Sequence, residues 1–64
     1  MKTLTIKVYG YVKVYGVEEG MWAHETYYFG SERSRDLAMQ DDYDTCDEYG
    51  AGFTPFEYEE EIKI

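Results

Sequence analysis

Residues 41–52, DDYDTCDEYGAG, hold the densest group of side chains in this sequence that could do chemistry. Carboxylates closely spaced near glycine are typical of a calcium-binding loop. The spacing does not fit an EF-hand, however. With Asp42 in the first ligand position, Cys46 takes the fifth and Phe53 the twelfth, and Asp47 replaces the glycine needed at the sixth. Irregular, weak calcium binding is the one alternative left open.

The other reactive side chains point to no catalytic site. Cys46 has no histidine near it in sequence, and the acids around it are expected to raise its pKa and weaken its nucleophilicity. His24 is the single histidine and lies in a strand pattern typical of a surface residue. Gly50-Ala51-Gly52 lacks the strand before it and the helix after it that a phosphate-binding loop needs. We therefore expect a non-enzyme without a cofactor or a metal site.

Length and composition limit the fold. Sixty-four residues are expected to form one domain, residues 1–64, near the lower size at which a chain folds without disulfides or metals. A lone cysteine excludes an intrachain disulfide and suits a reducing compartment, so a cytoplasmic protein is expected. No apolar run is long enough for a signal peptide or a membrane span, so no membrane partner is expected.

The charge is concentrated in the second half of the chain. Up to Arg35 there are five basic residues and four acids, whereas the rest holds ten acids and Lys63. The net charge of −8 therefore comes from the C-terminal part. Such a charge disfavours direct binding to nucleic acid.

The repeated segment KVYGYVKVYG, residues 7–16, could form a hairpin turning at Gly10-Tyr11 or one long strand. A hairpin there would mix apolar and polar residues on each face, whereas one strand keeps them apart. One strand is therefore predicted. Its apolar face is expected to lie under the helix and comprises Leu4, Ile6, Val8, Val12 and Val14.

A turn at residues 17–20 is predicted to lead into a second strand, Met21 to Phe29. With Glu18-Glu19 at the centre of the loop, the ring of Tyr27 would cover Gly10. This register also places Glu25 on the core face, which implies a position near the sheet edge or a bulge in the turn.

The next segment predicts a helix from Glu32 to Thr45. Ser31 is a suitable N-cap, and Gly50 can close the C-terminal end. Its apolar stripe is thin and consists of Leu37, Ala38, Met39, Tyr43 and Cys46.

A loop, AGFTP, is expected before a last strand that alternates in character. One face carries Phe56, Tyr58, Ile62 and Ile64, and the other carries Glu57, Glu59, Glu61 and Lys63. Glu60 falls on the apolar face and implies a bulge or a strand end. The fold class is α+β with the order β-β-α-β, in which an antiparallel or mixed sheet of order 2-1-3 carries one helix on one face.

One helix can cover only one face of this sheet. The other face is expected to display five aromatic side chains. They could be structural cross-strand pairs, worth about 0.2–1 kcal/mol each, or a surface for a partner or a second copy. A register slip of one residue would exchange this patch with the core. The patch comprises Tyr9, Tyr11, Tyr15, Trp22 and Tyr28.

The acids form two regular groups. The helix group projects from one helix face and comprises Asp41, Asp44, Asp47 and Glu48. In the strand group, Glu57, Glu59 and Glu61 project together at intervals of about 6.6 Å, comparable to successive phosphates on a nucleic-acid strand. The groups could be a solvated helix face and a charged strand that resists aggregation, or a surface that imitates a phosphate backbone.

The acids from Asp36 to Glu61, on a small tyrosine-rich scaffold, resemble the inhibitors that phages and mobile elements encode against bacterial defence. These are anti-CRISPR proteins, anti-restriction DNA mimics and uracil-DNA glycosylase inhibitors. Many anti-CRISPR proteins are single domains of this length, so that group is favoured. The resemblance implies a partner among the nucleic-acid-binding complexes of host defence.

Two other functions remain open. The chain could be a small regulatory module that binds a host protein through the aromatic sheet face. It could also be a homodimeric accessory protein whose aromatic face is the dimer interface.

Overall fold

The computed structural model describes residues 2–64 and contains four elements. They are β1 (Thr3–Glu18), β2 (Met21–Phe29), α1 (Glu32–Thr45) and β3 (Tyr49–Lys63). The strands form one sheet in the order β2-β1-β3, and β1 pairs antiparallel with both neighbours. The predicted α+β fold, its element order and its strand order are confirmed.

Strand β1 runs without interruption through Gly10, so the long strand is confirmed and the hairpin at that position is not formed. The chain turns at Glu19-Gly20, where Gly20 adopts a φ of 78° that favours glycine. A bulge lies between Gly16 and Glu18 of β1. The predicted loop was therefore centred one residue too early.

The register between β1 and β2 differs from the prediction because the later turn and the bulge shift it. Gly10 pairs with Tyr28 instead of Tyr27, and Tyr11 pairs with Tyr27. As a result, odd-numbered residues of β1 face the same side of the sheet as odd-numbered residues of β2. Glu25 pairs with Lys13 instead of Val12, and it lies on an edge strand, as one of the two predicted explanations required.

The helix covers the odd-numbered side of the sheet, and here the predicted core is wrong. Tyr11 and Lys13 lie beneath α1 with only 3% and 6% of their surfaces exposed. The aliphatic face of β1, with Leu4, Ile6, Val8, Val12 and Val14, points away from the helix. The inner side of α1 carries Arg35 and Asp42, which require polar partners. Asp42 accepts hydrogen bonds from Tyr11 and Lys13, and Arg35 donates to the backbone carbonyls of Gly10 and Phe56.

Helix α1 has the predicted bounds. The Ser31 hydroxyl caps it by accepting a hydrogen bond from the Ser34 amide at 3.1 Å. The predicted apolar stripe is wrong in part, because Leu37 and Tyr43 are 62% and 65% exposed. Ala38, Met39 and Cys46 are half-buried. The helix ends at Thr45, the capping residue Cys46 has extended backbone, and Gly50 belongs to β3 instead of closing the helix.

Strand β3 starts earlier than predicted and is regular near its end. The AGFTP segment is part of the strand, not a loop, and Pro55 is tolerated because β3 is an edge strand. Glu60 pairs with Ile6 in continuous register, so neither a bulge nor a strand end occurs there. The predicted alternation of apolar and charged residues along β3 is confirmed.

The sheet thus has two faces of different character. We call the side that carries α1 the helix-side face. The open face is the opposite side. Its apolar members are Leu4, Ile6, Val8, Val12, Val14, Trp22, Tyr28, Phe56, Tyr58 and Ile62.

Candidate functional site

A polar cluster ties α1 to the sheet. The Tyr11 hydroxyl donates a hydrogen bond of 2.8 Å to Asp42 Oδ2, and Lys13 Nζ donates one of 3.1 Å to Asp42 Oδ1. Lys13 Nζ also lies 3.3 Å from Glu48 Oε1. The buried ammonium is therefore neutralised by two carboxylates from the helix and the segment after it.

The electrostatics of this cluster favour a structural role. The hydrogen bond to Asp42 raises the pKa of Lys13, which keeps the ammonium charged. Burial, and then the hydrogen bond to Asp42, raises the pKa of Tyr11, which keeps the phenol neutral. Neither group is prepared to exchange a proton near neutral pH.

Cys46 belongs to the edge of the same cluster. Its thiol donates a hydrogen bond of 2.9 Å to Glu48 Oε2, and this bond raises the pKa of Cys46. The pKa of Glu48 is lowered by the same bond and by Lys13. The thiol is therefore held protonated, which makes it a poor nucleophile, as the sequence indicated.

Arg35 makes a second polar connection near the start of α1. Its Nη1 donates to the backbone carbonyls of Gly10 at 3.3 Å and Phe56 at 3.0 Å, and its guanidinium lies over the Tyr9 ring. Nε donates to Asp36 Oδ1 at 2.7 Å. Sequence reasoning missed this role, because a basic residue at that helical position is ordinarily solvated.

The structure separates the predicted helix group of acids into three exposed members and one half-buried member. Asp41, Asp44 and Asp47 are exposed near the C-terminal end of α1 and just beyond it. Glu48 is half-buried and held by Lys13. Glu48 is therefore part of the polar cluster and is not a free surface acid.

The predicted strand group is intact. Glu57, Glu59 and Glu61 are exposed and project from the helix-side face of β3. Lys7 Nζ lies 3.7 Å from Glu57, in an exposed ion pair of small energetic value. Because Arg35 near the start of α1 contacts Phe56, the strand group lies beyond the N-terminal end of the helix. The two acidic groups thus flank α1 on one face.

The predicted aromatic surface is not formed as one patch. Tyr9, Tyr11 and Tyr15 lie on the helix-side face, whereas Trp22 and Tyr28 lie on the open face. Tyr15 pairs with Ala23 instead of Trp22, and Tyr9 pairs with Phe29 instead of Tyr28. The change follows from the shifted register, which puts residues of equal parity on one face.

The open face has aromatic groups of its own. The rings of Tyr28 and Phe56 meet edge to face at 5.9 Å, on either side of Gly10, and Phe56 stacks with Tyr58 at 6.2 Å. Trp22 remains 60% exposed. The alternation along β3, which places Phe56, Tyr58 and Ile62 on one face, is the sequence signal for this surface.

Within residues 2–64, no group of three His, Cys, Asp or Glu side chains is placed to hold a metal ion. No helix in that part of the chain has both the length and the apolar character needed to cross a membrane. No protein-family model, curated protein or solved structure matches this chain.

Proposed function

We propose that this chain is an acidic, non-enzymatic inhibitor that occupies a basic nucleic-acid-binding groove of a bacterial defence complex in the cytoplasm. The observation that carries the proposal is the placement of exposed carboxylates on the helix-side face. They lie at both ends of α1, as Asp41, Asp44 and Asp47 at one end and Glu57, Glu59 and Glu61 at the other.

The distribution of the basic residues supports this proposal. Lys13 is engaged with Asp42 and Glu48, and Arg35 contacts Asp36. These two cations are matched by carboxylates of the fold, and of the exposed cations Lys7 lies beside Glu57. The net charge of −8 is expressed largely through exposed acids, which attract a basic partner over long range.

The spacing of the strand group also supports it. Alternate residues of β3 hold three carboxylates in a line at intervals of about 6.6 Å. Phe53 pairs with Lys13 beneath the C-terminal part of α1. Strand β3 continues for six more residues to Glu59, a distance of about 20 Å. A basic groove that binds a nucleic-acid backbone would meet repeated negative charge over a similar length.

Binding of this kind has a kinetic signature. Charge complementarity accelerates association and makes it strongly dependent on salt, because exposed charges are screened over about 8 Å at physiological ionic strength. The inhibitor and the nucleic acid would compete for one groove. Inhibition would therefore weaken as either salt or competing DNA increases.

The experiment is a pull-down with purified CRISPR interference complexes, followed by competition with DNA at low and high salt. The test variant is Glu59→Lys/Glu61→Lys, which reverses charge within the strand group. The matched control is Glu18→Lys/Glu19→Lys, which makes the same change of charge near the β1–β2 turn. Circular dichroism verifies the fold of both variants.

The proposal expects the test variant to lose at least tenfold more affinity than the control, because both variants lose the same net charge and only the test variant loses the contacts of the strand group. Asp41→Lys/Asp44→Lys tests the helix group in the same way. Glu48 is left unchanged because its removal would disturb Lys13. Binding that withstands both charge reversals and high salt would contradict the groove mechanism, and failure to bind any nucleic-acid-handling complex would contradict the functional class.

A further inference from the structure

We propose that two copies of this chain associate through their open faces to form a homodimer, a helix–sheet–sheet–helix sandwich. The inference concerns a different surface from the acidic groups and does not depend on the identity of any target. It also replaces the mixed aromatic interface predicted from the sequence with a largely aliphatic one.

The open face is mostly apolar, with Thr26, Thr54, His24 and Glu60 as its polar members on β2 and β3. Each of the three strands contributes one row of side chains to it. The row on β1 runs from Leu4 to Val14, and the rows on β2 and β3 consist of the residues that pair with it. Paired residues are apolar in both strands at Leu4 and Ile62 and at Val8 and Tyr58. Homodimer interfaces are typically richer in apolar surface than other interfaces.

The size of the exposed surface indicates a missing layer. The accessible surface of the chain is 5083 Å², whereas a folded monomer of this length exposes about 4,300 Å². The excess of about 800 Å² equals the area that each partner buries in a standard protein interface. The radius of gyration, 14.9 Å, also exceeds the value of about 11 Å for a compact chain of this length.

The monomer also lacks an apolar core. Tyr11 is the one hydrophobic side chain among residues 2–64 that is buried, and the other buried side chains are Lys13 and Arg35. The Cα atoms extend over 52 × 23 × 12 Å, so the chain is a thin plate. A second sheet packed about 10 Å from the open face would supply the missing core.

A second copy is the occupant that fits this face best. The ionisable side chains of the open face on β2 and β3 are His24, opposite Val14, and Glu60, opposite Ile6, and both lie on edge strands, so two open faces can meet with these side chains near the rim. Two helix-side faces would oppose acid to acid, and an anionic membrane would repel a chain of charge −8. A copy of the same chain is also present whenever the chain is made, whereas another partner need not be.

The first test is sedimentation equilibrium from micromolar to millimolar protein, with wild type, Val12→Lys and Thr5→Lys. Val12 lies centrally on the open face between Thr26 and Thr54. Thr5 is exposed on the same strand and faces the other side. We expect a wild-type monomer–dimer equilibrium, an unchanged Thr5→Lys control, and a dissociation constant at least tenfold higher for Val12→Lys.

A second measurement locates the interface. Trp22 is the sole tryptophan and belongs to the open face, so its fluorescence reports on that surface. Dimerisation should shift its emission to shorter wavelength and protect it from a soluble quencher. On dilution, both effects should disappear together with the dimer mass.

The Val12→Lys variant could fail to fold if the dimer is needed for stability. Val12→Thr keeps the shape and the strand propensity, and it should give a smaller increase in the dissociation constant. The melting temperature of wild type should also rise with protein concentration, because association stabilises the folded state by mass action.

Two results would overturn the dimer. One is a folded wild-type chain that stays monomeric at millimolar concentration, with a melting temperature independent of concentration. The other is a dimer in which Trp22 stays accessible to the quencher or which Val12→Lys leaves unchanged. Neither result bears on the acidic groups, so the proposed inhibitor function is tested separately.

Discussion

At the scale of single residues, the unusual feature is that charged side chains occupy the centre of the fold. Lys13 and Arg35 are both buried, and each donates hydrogen bonds to specific partners, Asp42 for Lys13 and the Gly10 carbonyl for Arg35. Within residues 2–64, no buried side-chain nitrogen or oxygen lacks a hydrogen-bond partner. A buried polar network of this kind stabilises the fold only while every member is present.

The cluster around Lys13 therefore predicts an asymmetry between two substitutions. Asp42→Asn should lower the free energy of unfolding by about 1.5–3 kcal/mol, because it weakens the bonds to Tyr11 and to a buried ammonium. Lys13→Met should cost less than Asp42→Asn, because Asp42 and Glu48 are nearer to water and can be hydrated. Urea denaturation measures both, and a larger loss for Lys13→Met would contradict the argument.

The same residues predict a loss of stability in alkaline solution. The pKa values of Tyr11, Tyr27 and Cys46 are all raised by folding, mainly by burial for Tyr11 and by hydrogen bonds to Glu25 and Glu48 for the other two. The folded chain thus holds these protons more tightly than the unfolded chain does. The free energy of unfolding should keep its full value while the pH is below 9.0, the ordinary pKa of the thiol. It should fall as the pH rises above that value.

The measurement is urea denaturation over a series of alkaline pH values. Tyr11→Phe should be less stable at neutral pH and should show a shallower decline above pH 10.0, the ordinary value for tyrosine. The control is Tyr49→Phe, which removes a hydroxyl from an exposed ring at the start of β3. Equal slopes for Tyr11→Phe and wild type would count against the raised pKa of Tyr11.

At the scale of elements, β1 is the strand on which the other elements are organised. It pairs with β2 over its second half and with β3 over nearly its whole length. Gly10 lies at its centre on the open face, where the rings of Tyr28 and Phe56 meet. The missing side chain is thus replaced by aromatic cover from both neighbouring strands.

This packing predicts a difference between two glycine substitutions. A Cβ at Gly10 would collide with the Phe56 ring and the backbone carbonyl of Tyr27, so Gly10→Ala should cost about 1–3 kcal/mol. A Cβ at Gly52 would meet nothing within 4 Å, and Gly52→Ala should be neutral or slightly stabilising. Thermal denaturation distinguishes the two, and equal losses would show that strand propensity, not packing, governs both sites.

At the scale of the whole molecule, the chain is a plate with one acidic side and one apolar side. If two plates pack by their open faces, the acidic groups point outward on opposite sides of the dimer. Each dimer could then engage two basic grooves, and avidity would depend on the apolar face. The two proposals are therefore connected in their consequences, although they rest on different residues.

This arrangement predicts the stoichiometry of the inhibited complex. Wild type should bridge two target complexes at high concentration, whereas Val12→Lys should bind one target and still compete with DNA. Light scattering coupled to size-exclusion chromatography measures the mass of each assembly. A mass corresponding to one target per wild-type dimer would show that only one acidic side is accessible to the groove.

The local sequence determined the elements and their order. Alternation along residues 4–14 established one strand through Gly10, and the Ser31 cap located the start of α1. The alternation of β3 correctly separated Glu57, Glu59 and Glu61 from the apolar side chains. These are short-range patterns, because strand and helix periodicity act over a few neighbouring residues.

Tertiary structure alone decided which face of the sheet the helix covers. Periodicity sorts residues into two faces but does not say which is inside, and the usual rule of burying the aliphatic one failed here. Long-range contacts reversed it. Asp42 on α1 accepts hydrogen bonds from Tyr11 and Lys13, and Arg35 donates to the backbone carbonyls of Gly10 and Phe56, so the polar inner side of the helix is satisfied over this face. These hydrogen-bond partners are 21 to 31 residues apart in the chain, so no local sequence pattern could predict which face the helix covers.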